Sequence, residues 1–212
     1  MPHLPIINFT RPEKTSKAKP LVLILTEGKE TEPLYFRAMC DDFGIKVVNI
    51  NSDDSEGVAI QHDGPAPQTI AERAERELSN YDEIYCVFDK DKHTGFDLAI
   101  NNIKNIDSKS TSVKAIYSVI SFETWFLMHF NNSAKPYDKS DELIKELKKV
   151  NSSIFGSYTK SSRGIYDRIK EHTDTAIKNS KIINKAAELS GTDNPKTFVY
   201  LLVERLREIS KL

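Results

Sequence analysis

The chain reads as an α/β protein: a mainly parallel four-stranded sheet flanked by helices, followed by an α-helical C-terminal extension. Three observations predict this. Up to about residue 130, short apolar runs alternate with amphipathic stretches, which is the pattern of βαβ units. The runs are apolar at consecutive positions rather than every second one, as suits strands covered on both faces. Beyond residue 130 only helical spacing recurs.

The elements follow in order. Residues 1–19 hold Pro2, Pro5, Arg11, Pro12, Lys14, Lys17 and Lys19 without a hydrophobic period, and are expected to form a basic N-terminal arm. An α/β domain is expected over 20–130. Residues 21–25 are its first strand. Residues 31–39 are a helix with Leu34, Tyr35, Ala38 and Met39 at helical spacing and Pro33 harmless in the first turn. Residues 45–50 are expected as the second strand, and the Asp-, Ser-, Gly- and Pro-rich residues 51–67 as a long loop. Residues 68–80 form a charged amphipathic helix through Ile70, Ala74 and Leu78. The third strand, 83–88, ends abruptly at Asp89-Lys-Asp91. Phe96, Ile100, Ile103 and Ile106 step out a helix. Residues 113–120, rich in β-branched side chains, are the fourth strand, running into a buried helix over 121–130. The extension, 131–212, shows helical patterns at 141–150, 162–171, 176–189 and 195–210. In the last, Asn194 can cap and Pro195 suits the first helical position.

Composition bounds the function. A chain of 212 residues, 39% hydrophobic and 29% charged, makes one globular domain with a substantial appendage rather than a disordered segment. No apolar stretch approaches the ~20 residues of a membrane helix, and the N-terminus lacks a secretory layout. Cys40 and Cys86 lie in apolar surroundings and read as buried reduced thiols of a cytoplasmic protein, too few for a metal site or disulfide framework. The net charge of −1 hides an asymmetry: residues 131–212 carry 16 basic against 11 acidic side chains, and the rest 14 against 20. An acidic, cation-binding part beside a basic part that meets a polyanion fits this balance, as do two solvated surfaces that merely differ.

The informative residues lie where strands end. Glu27 follows the first apolar run, and Asp89 and Asp91 follow the third. In an open α/β sheet the C-terminal edge of the strands borders the ligand crevice. Carboxylates brought together there repel unless a cation lies between them, and hard oxygen donors select Mg²⁺ or Mn²⁺. Glu123, after the fourth strand, is a further candidate. A lone acid in such a place is usually a cap or a turn residue; three at two strand ends are a constellation.

The stretch Leu23-Ile-Leu-Thr-Glu-Gly-Lys-Glu-Thr-Glu-Pro-Leu-Tyr-Phe36 resembles the N-terminal signature of the RloB-like family. The resemblance continues through Val87-Phe-Asp-Lys-Asp91, Ser121-Phe-Glu-Thr-Trp-Phe-Leu-Met-His-Phe130 and Asn194-Pro-Lys-Thr197. That family in turn is similar to Toprim domains, which set one Glu after the first strand and an Asp-x-Asp pair after a later one around divalent metal. The resemblance implies a Toprim-like sheet, with Glu27 as that Glu and Asp89 and Asp91 as that pair, holding Mg²⁺ or Mn²⁺. Glu123 matches the RloB-like pattern and not a general Toprim ligand. Lys92 and His93 follow where many Toprim domains carry another acid, which bears on a second metal.

The resemblance further implies a bacterial phage-defence protein of an abortive-infection or restriction-associated system, working with an AAA- or ABC-type ATPase encoded nearby. No Gly-x-x-x-x-Gly-Lys-Ser/Thr loop is present, so a nucleotide-driven step falls to that partner. The leading expectation is a metal-dependent nuclease on RNA or DNA, with Glu27, Asp89, Asp91 and Lys160 catalytic and Lys90, Lys92, His93 and Lys160 against phosphate. Two alternatives stand beside it. One is a Toprim-shaped adaptor or regulatory subunit of the ATPase that performs no chemistry. The other is a haloacid-dehalogenase-like phosphatase with Asp89 as nucleophile and Asp91 as acid–base, although that fold expects its Asp-x-Asp after the first strand.

Overall fold

The computed structural model describes residues 18–50, 52–91, 94–107 and 110–212. The expected N-terminal arm lies outside the described residues except for Ala18 and Lys19. In chain order come β1 (Leu21–Thr26), α1 (Thr31–Asp42), β2 (Gly57–His62), α2 (Pro67–Arg76), β3 (Glu83–Asp89), α3 (Phe96–Ile106), β4 (Ser112–Val119) and α4 (Glu123–Met128). There follow α5 (Ser140–Val150), α6 (Ser152–Phe155), α7 (Ile165–Ile169), a 3-10 turn at Lys170–His172, α8 (Thr173–Ser190), β5 (Lys196–Thr197) and α9 (Val199–Ser210). Among the described residues the strands form one sheet in the order β2-β1-β3-β4-β5. The first four are parallel, and β5 runs antiparallel to β4.

The continuous apolar runs are explained by burial on both sides. In β1, Val22 and Ile24 enter one core while Leu21, Leu23 and Leu25 enter the other. β3 splits likewise, Tyr85 and Val87 to the first face and Ile84, Cys86 and Phe88 to the second. Helices α2 and α3 cover the second face through Ile70, Ala74, Phe96 and Ile103. The first face is closed by α1, α4 and the C-terminal helices through Phe36, Trp125, Leu143 and Leu202. Both cysteines are buried free thiols. Among the described residues no helix is long and apolar enough to cross a membrane.

Two expectations are corrected. Residues 45–50 are not a strand: apart from a single bridge from Val47 to Val58 the segment is irregular. Its burial falls on Ile45 and Val48 while Lys46 and Asn49 are exposed, a spacing of three that a pleated strand cannot hold. The second strand is Gly57–His62, inside the expected loop, where Val58, Ala59 and Ile60 are the buried run. Gly57 adopts φ 124°, and a Cβ there would meet the Lys46 carbonyl oxygen at 2.8 Å. Only glycine lets the two segments lie this close.

The sheet also has five strands rather than four, and strands do not stop at residue 130. Lys196–Thr197 pairs with Val119 and Ser118, so α9 begins at Val199 and not at Pro195. Asn194 does not cap it. Its amide instead donates to the Tyr137 carbonyl at 2.7 Å and accepts from the Tyr137 N–H at 3.3 Å. Thr197 is drawn into the sheet by its hydroxyl contact with Ser118 (2.9 Å) and by Asn184, which bonds both its N–H and its carbonyl. Smaller shifts shorten the expected helix at 162–171 to α7 plus the 3-10 turn and end the one at 68–80 at Arg76.

Candidate active site

Strand order places the crevice. β1 is followed through α1 by β2 on one side and through α2 by β3 on the other, so the chain changes direction between β1 and β3. At such a switch point the loops after the strands part and leave an opening at the C-terminal edge. Glu27 directly follows β1 and Asp89 ends β3, one on each side of it. The two are tied together: the Glu27 N–H donates to the Val87 carbonyl, and the Asp89 N–H donates to Glu27 Oε2, each at 2.9 Å.

A cavity of about 370 Å³ opens here, and Glu27, Glu32, Asp89, Asp91, Glu123 and Lys160 all border it. Glu32 stands in the first turn of α1, where the helix N-terminus favours a negative charge. Gly28 makes room for it: a Cβ at Gly28 would lie 2.0 Å from Glu32 Oε2. Glu123, in the first turn of α4, is almost wholly buried. Its two carboxylate oxygens accept from Tyr158 Oη (2.9 Å) and Ser121 Oγ (2.6 Å). α4 is anchored by the neighbouring aromatics, with Trp125 Nε1 donating to Tyr35 Oη at 2.8 Å and the Tyr35 ring edge-on to Phe122. Burying a side chain of that size is worth roughly 2–3 kcal/mol, so Glu123 rests on a rigid mount. Lys160 reaches the cavity from the loop between α6 and α7, held where the Thr31 hydroxyl donates to its carbonyl at 2.6 Å.

Electrostatics mark the cluster as under-compensated. Burial, then the charges of Glu32, Glu123 and Glu27, push the Asp89 carboxyl well above the usual carboxylate range, and Lys160 only partly opposes them. Burial raises Glu32 to about 7, with Glu123 and Glu27 adding to the rise and its own N–H and Lys160 working against it. Desolvation works against the charge of Lys160, but Glu123, Asp89, Glu32 and Asp91 outweigh it and raise its pKa. One ammonium thus serves several acids.

Not every expected residue belongs here. Lys90 borders a neighbouring cavity instead, paired with Asp193 at 2.5 Å and lying 5.0 Å over the Phe96 ring. Lys92 and His93 lie outside the described residues. Trp125 and Phe126 are core side chains, as the buried helix expected over 121–130 implies. Sequence analysis gives Glu32 no role. Its signal was a place five residues after Glu27 in the first turn of the helix that leaves the first strand. The donor set, all carboxylate, suits a hard divalent cation. Among the described residues, however, no group of three His, Cys, Asp or Glu side chains is disposed to hold one ion.

A family model of RloB-like protein matches residues 22–206, and the chain belongs to that family. The matched span takes in every residue of the acid-lined cavity. Neither the curated proteins nor the solved structures give a match.

Proposed function

We propose that this RloB-like chain is a metal-dependent phosphodiesterase of the Toprim type that cuts RNA or DNA. We assign it as the effector of an anti-phage system and pair it with an ATPase. One observation carries the reading: acids that follow β1, end and follow β3, and open α1 and α4 border a single cavity at the switch point of the sheet, with Lys160 set among them and Lys29 also on the border. Buried like charges cost stability unless something neutralises them. A docking protein gains nothing from such a cluster, whereas a cation-dependent enzyme requires one.

Glu27, Glu32, Asp89 and Asp91 border the cavity without being disposed about one point, and they are the residues that would have to draw together to hold Mg²⁺ or Mn²⁺. A divalent ion there supplies polarisation of a phosphoryl oxygen and a lowered pKa for bound water. The chain supplies the rest. Glu27, oriented by the Asp89 N–H, positions the attacking water and accepts its proton. Lys160 neutralises charge on the phosphate. Glu123, both oxygens engaged by Ser121 and Tyr158, shapes the potential around Asp89 and Glu32. The sequence carries no phosphate-binding loop, which is in keeping with leaving any nucleotide hydrolysis to the proposed partner.

The test is to incubate the purified chain, alone and with its neighbouring ATPase, with total RNA and plasmid DNA. Cleavage that needs Mg²⁺ or Mn²⁺ and is lost in Asp89→Ala with an unchanged circular dichroism spectrum is the expected result. Cleavage indifferent to chelator, or to Asp89, overturns the reading.

A further inference from the structure

Beside the acid-lined cavity lies a second one of about 590 Å³, and Asp91 borders both. We infer that this second cavity is the nucleoside subsite of the same cleft, taking the sugar and base next to the phosphate under attack. The inference rests on the phosphodiesterase reading for the identity of the substrate.

Continuity comes first. A phosphodiester is bonded to a nucleoside on either side, and a cavity that meets the phosphate site at Asp91 lies where such a neighbour can sit. The charge of the lining then selects the group. Asp91, Asp138, Asp141 and Asp193 outnumber Lys90 and Lys139, and Lys90 is already paired with Asp193. A second phosphate is repelled there, whereas sugar hydroxyls and exocyclic amines of bases are donors that carboxylates accept. Val119 and Ile120, at the end of β4, add apolar surface for a ring.

The wall is also fixed before anything binds. The Asn194 amide clamps the Tyr137 backbone through both its N–H and its carbonyl, and the Tyr137 side chain is buried. A site held this way loses little freedom on binding, and its volume falls in the ordinary range for small-molecule sites, about 300–1,000 Å³.

The experiment fills the cavity without touching the acids. Ser140 opens α5 at the cavity border and is partly exposed, and Lys139 beside it is exposed. Ser140→Trp and Lys139→Trp each place an indole in the space. Binding of a labelled single-stranded pentanucleotide, RNA and DNA, is read by fluorescence anisotropy on the full chain in Ca²⁺. At least one of the two variants is expected to bind at least tenfold more weakly than wild type with an unchanged circular dichroism spectrum. Millimolar adenosine or cytidine should displace the pentanucleotide from wild type but not from that variant. Both variants binding as wild type does, nucleosides competing equally against all three proteins, or no binding by wild type overturns the subsite. Cleavage in Mn²⁺ is read in parallel. Binding that depends on Ser140 without any cleavage sinks the hydrolytic reading alone, and cleavage with binding indifferent to both tryptophans sinks the subsite alone.

Discussion

Strand β3 carries an acid at each end, and the two meet opposite surroundings. Glu83, at the start, accepts from Arg205 through Nε (3.1–3.2 Å) and Nη2 (2.6 Å) and from Tyr85 Oη at 2.8 Å. Its partners come from α9 and from its own strand, and the ion pair ties the C-terminal helix to the sheet. Asp89, at the end, faces Glu27, Glu32 and Glu123 with Lys160 as the opposing charge. One acid is neutralised by the fold and the other is left in deficit. The same strand thus carries one carboxylate paired by the fold and one crowded by other acids, and the difference lies in the partners rather than in the residue type.

The largest effect expected is on chemistry. Asp89→Ala should lower cleavage by at least about 100-fold, the scale of losing a group that stabilises the transition state, while leaving thermal stability unchanged or raised because a partly buried carboxyl crowded by other acids is gone. Glu83→Ala should do the reverse, leaving cleavage within a few-fold and costing about 1–2 kcal/mol in urea unfolding, a modest figure because Arg205 is partly exposed. If the two variants behave alike, the contrast between the strand ends is broken.

Divalent ions sharpen it. At 100 times its dissociation constant, Mn²⁺ should stabilise the wild type by about 2.7 kcal/mol, read as a rise in melting temperature. That increment should vanish in Asp89→Asn and persist in Glu83→Gln.

A buried histidine provides a control away from the acids. His129 is almost fully buried, donates from Nδ1 to the Trp125 carbonyl at 2.9 Å and has no partner at Nε2. Burial is the chief cause that lowers its pKa from 6.5 to about 3. Below pH 6.5 the unfolded chain takes up a proton that the folded chain refuses, so stability is lost as pH falls through that window. The loss approaches about 1.4 kcal/mol per pH unit. His129→Phe should remove this slope, seen as the difference between the two proteins' stability–pH curves down to about pH 3. Matching curves would show that His129 titrates normally.

The smallest effect belongs to Gly28→Ala. The nearest atoms to the added methyl are the end of the Glu32 side chain, so the fold should tolerate it while Glu32 is displaced and cleavage drops several-fold. An unchanged rate would show that Glu32 plays no part.

Much of this was legible in the sequence because burial writes itself into runs. Residues 21–25 and 83–88 announced strands covered on both faces, and the acids that follow them announced the crevice edge. Local pattern failed where long-range contacts decide. Residues 45–50 look β-branched enough for a strand, yet Gly57–His62 takes the place because glycine allows the approach to Lys46. Asn194 and Pro195 look like a helix start, yet Tyr137, far back in the chain, claims the Asn194 amide. Glu32 carries little signal in the sequence because its place beside Glu27, Asp89 and Glu123 around one cavity is set by the fold, and spacing along the chain does not encode that.

We propose that the deficit of positive charge around Asp89 serves to receive a hard cation. Crystals of the chain soaked in Mn²⁺ and measured by anomalous diffraction test it directly. A manganese peak is expected in the cavity bordered by Glu27, Glu32 and Asp89, absent from crystals of Asp89→Asn. A peak that survives that substitution, or manganese found only at exposed carboxylates elsewhere, would contradict it.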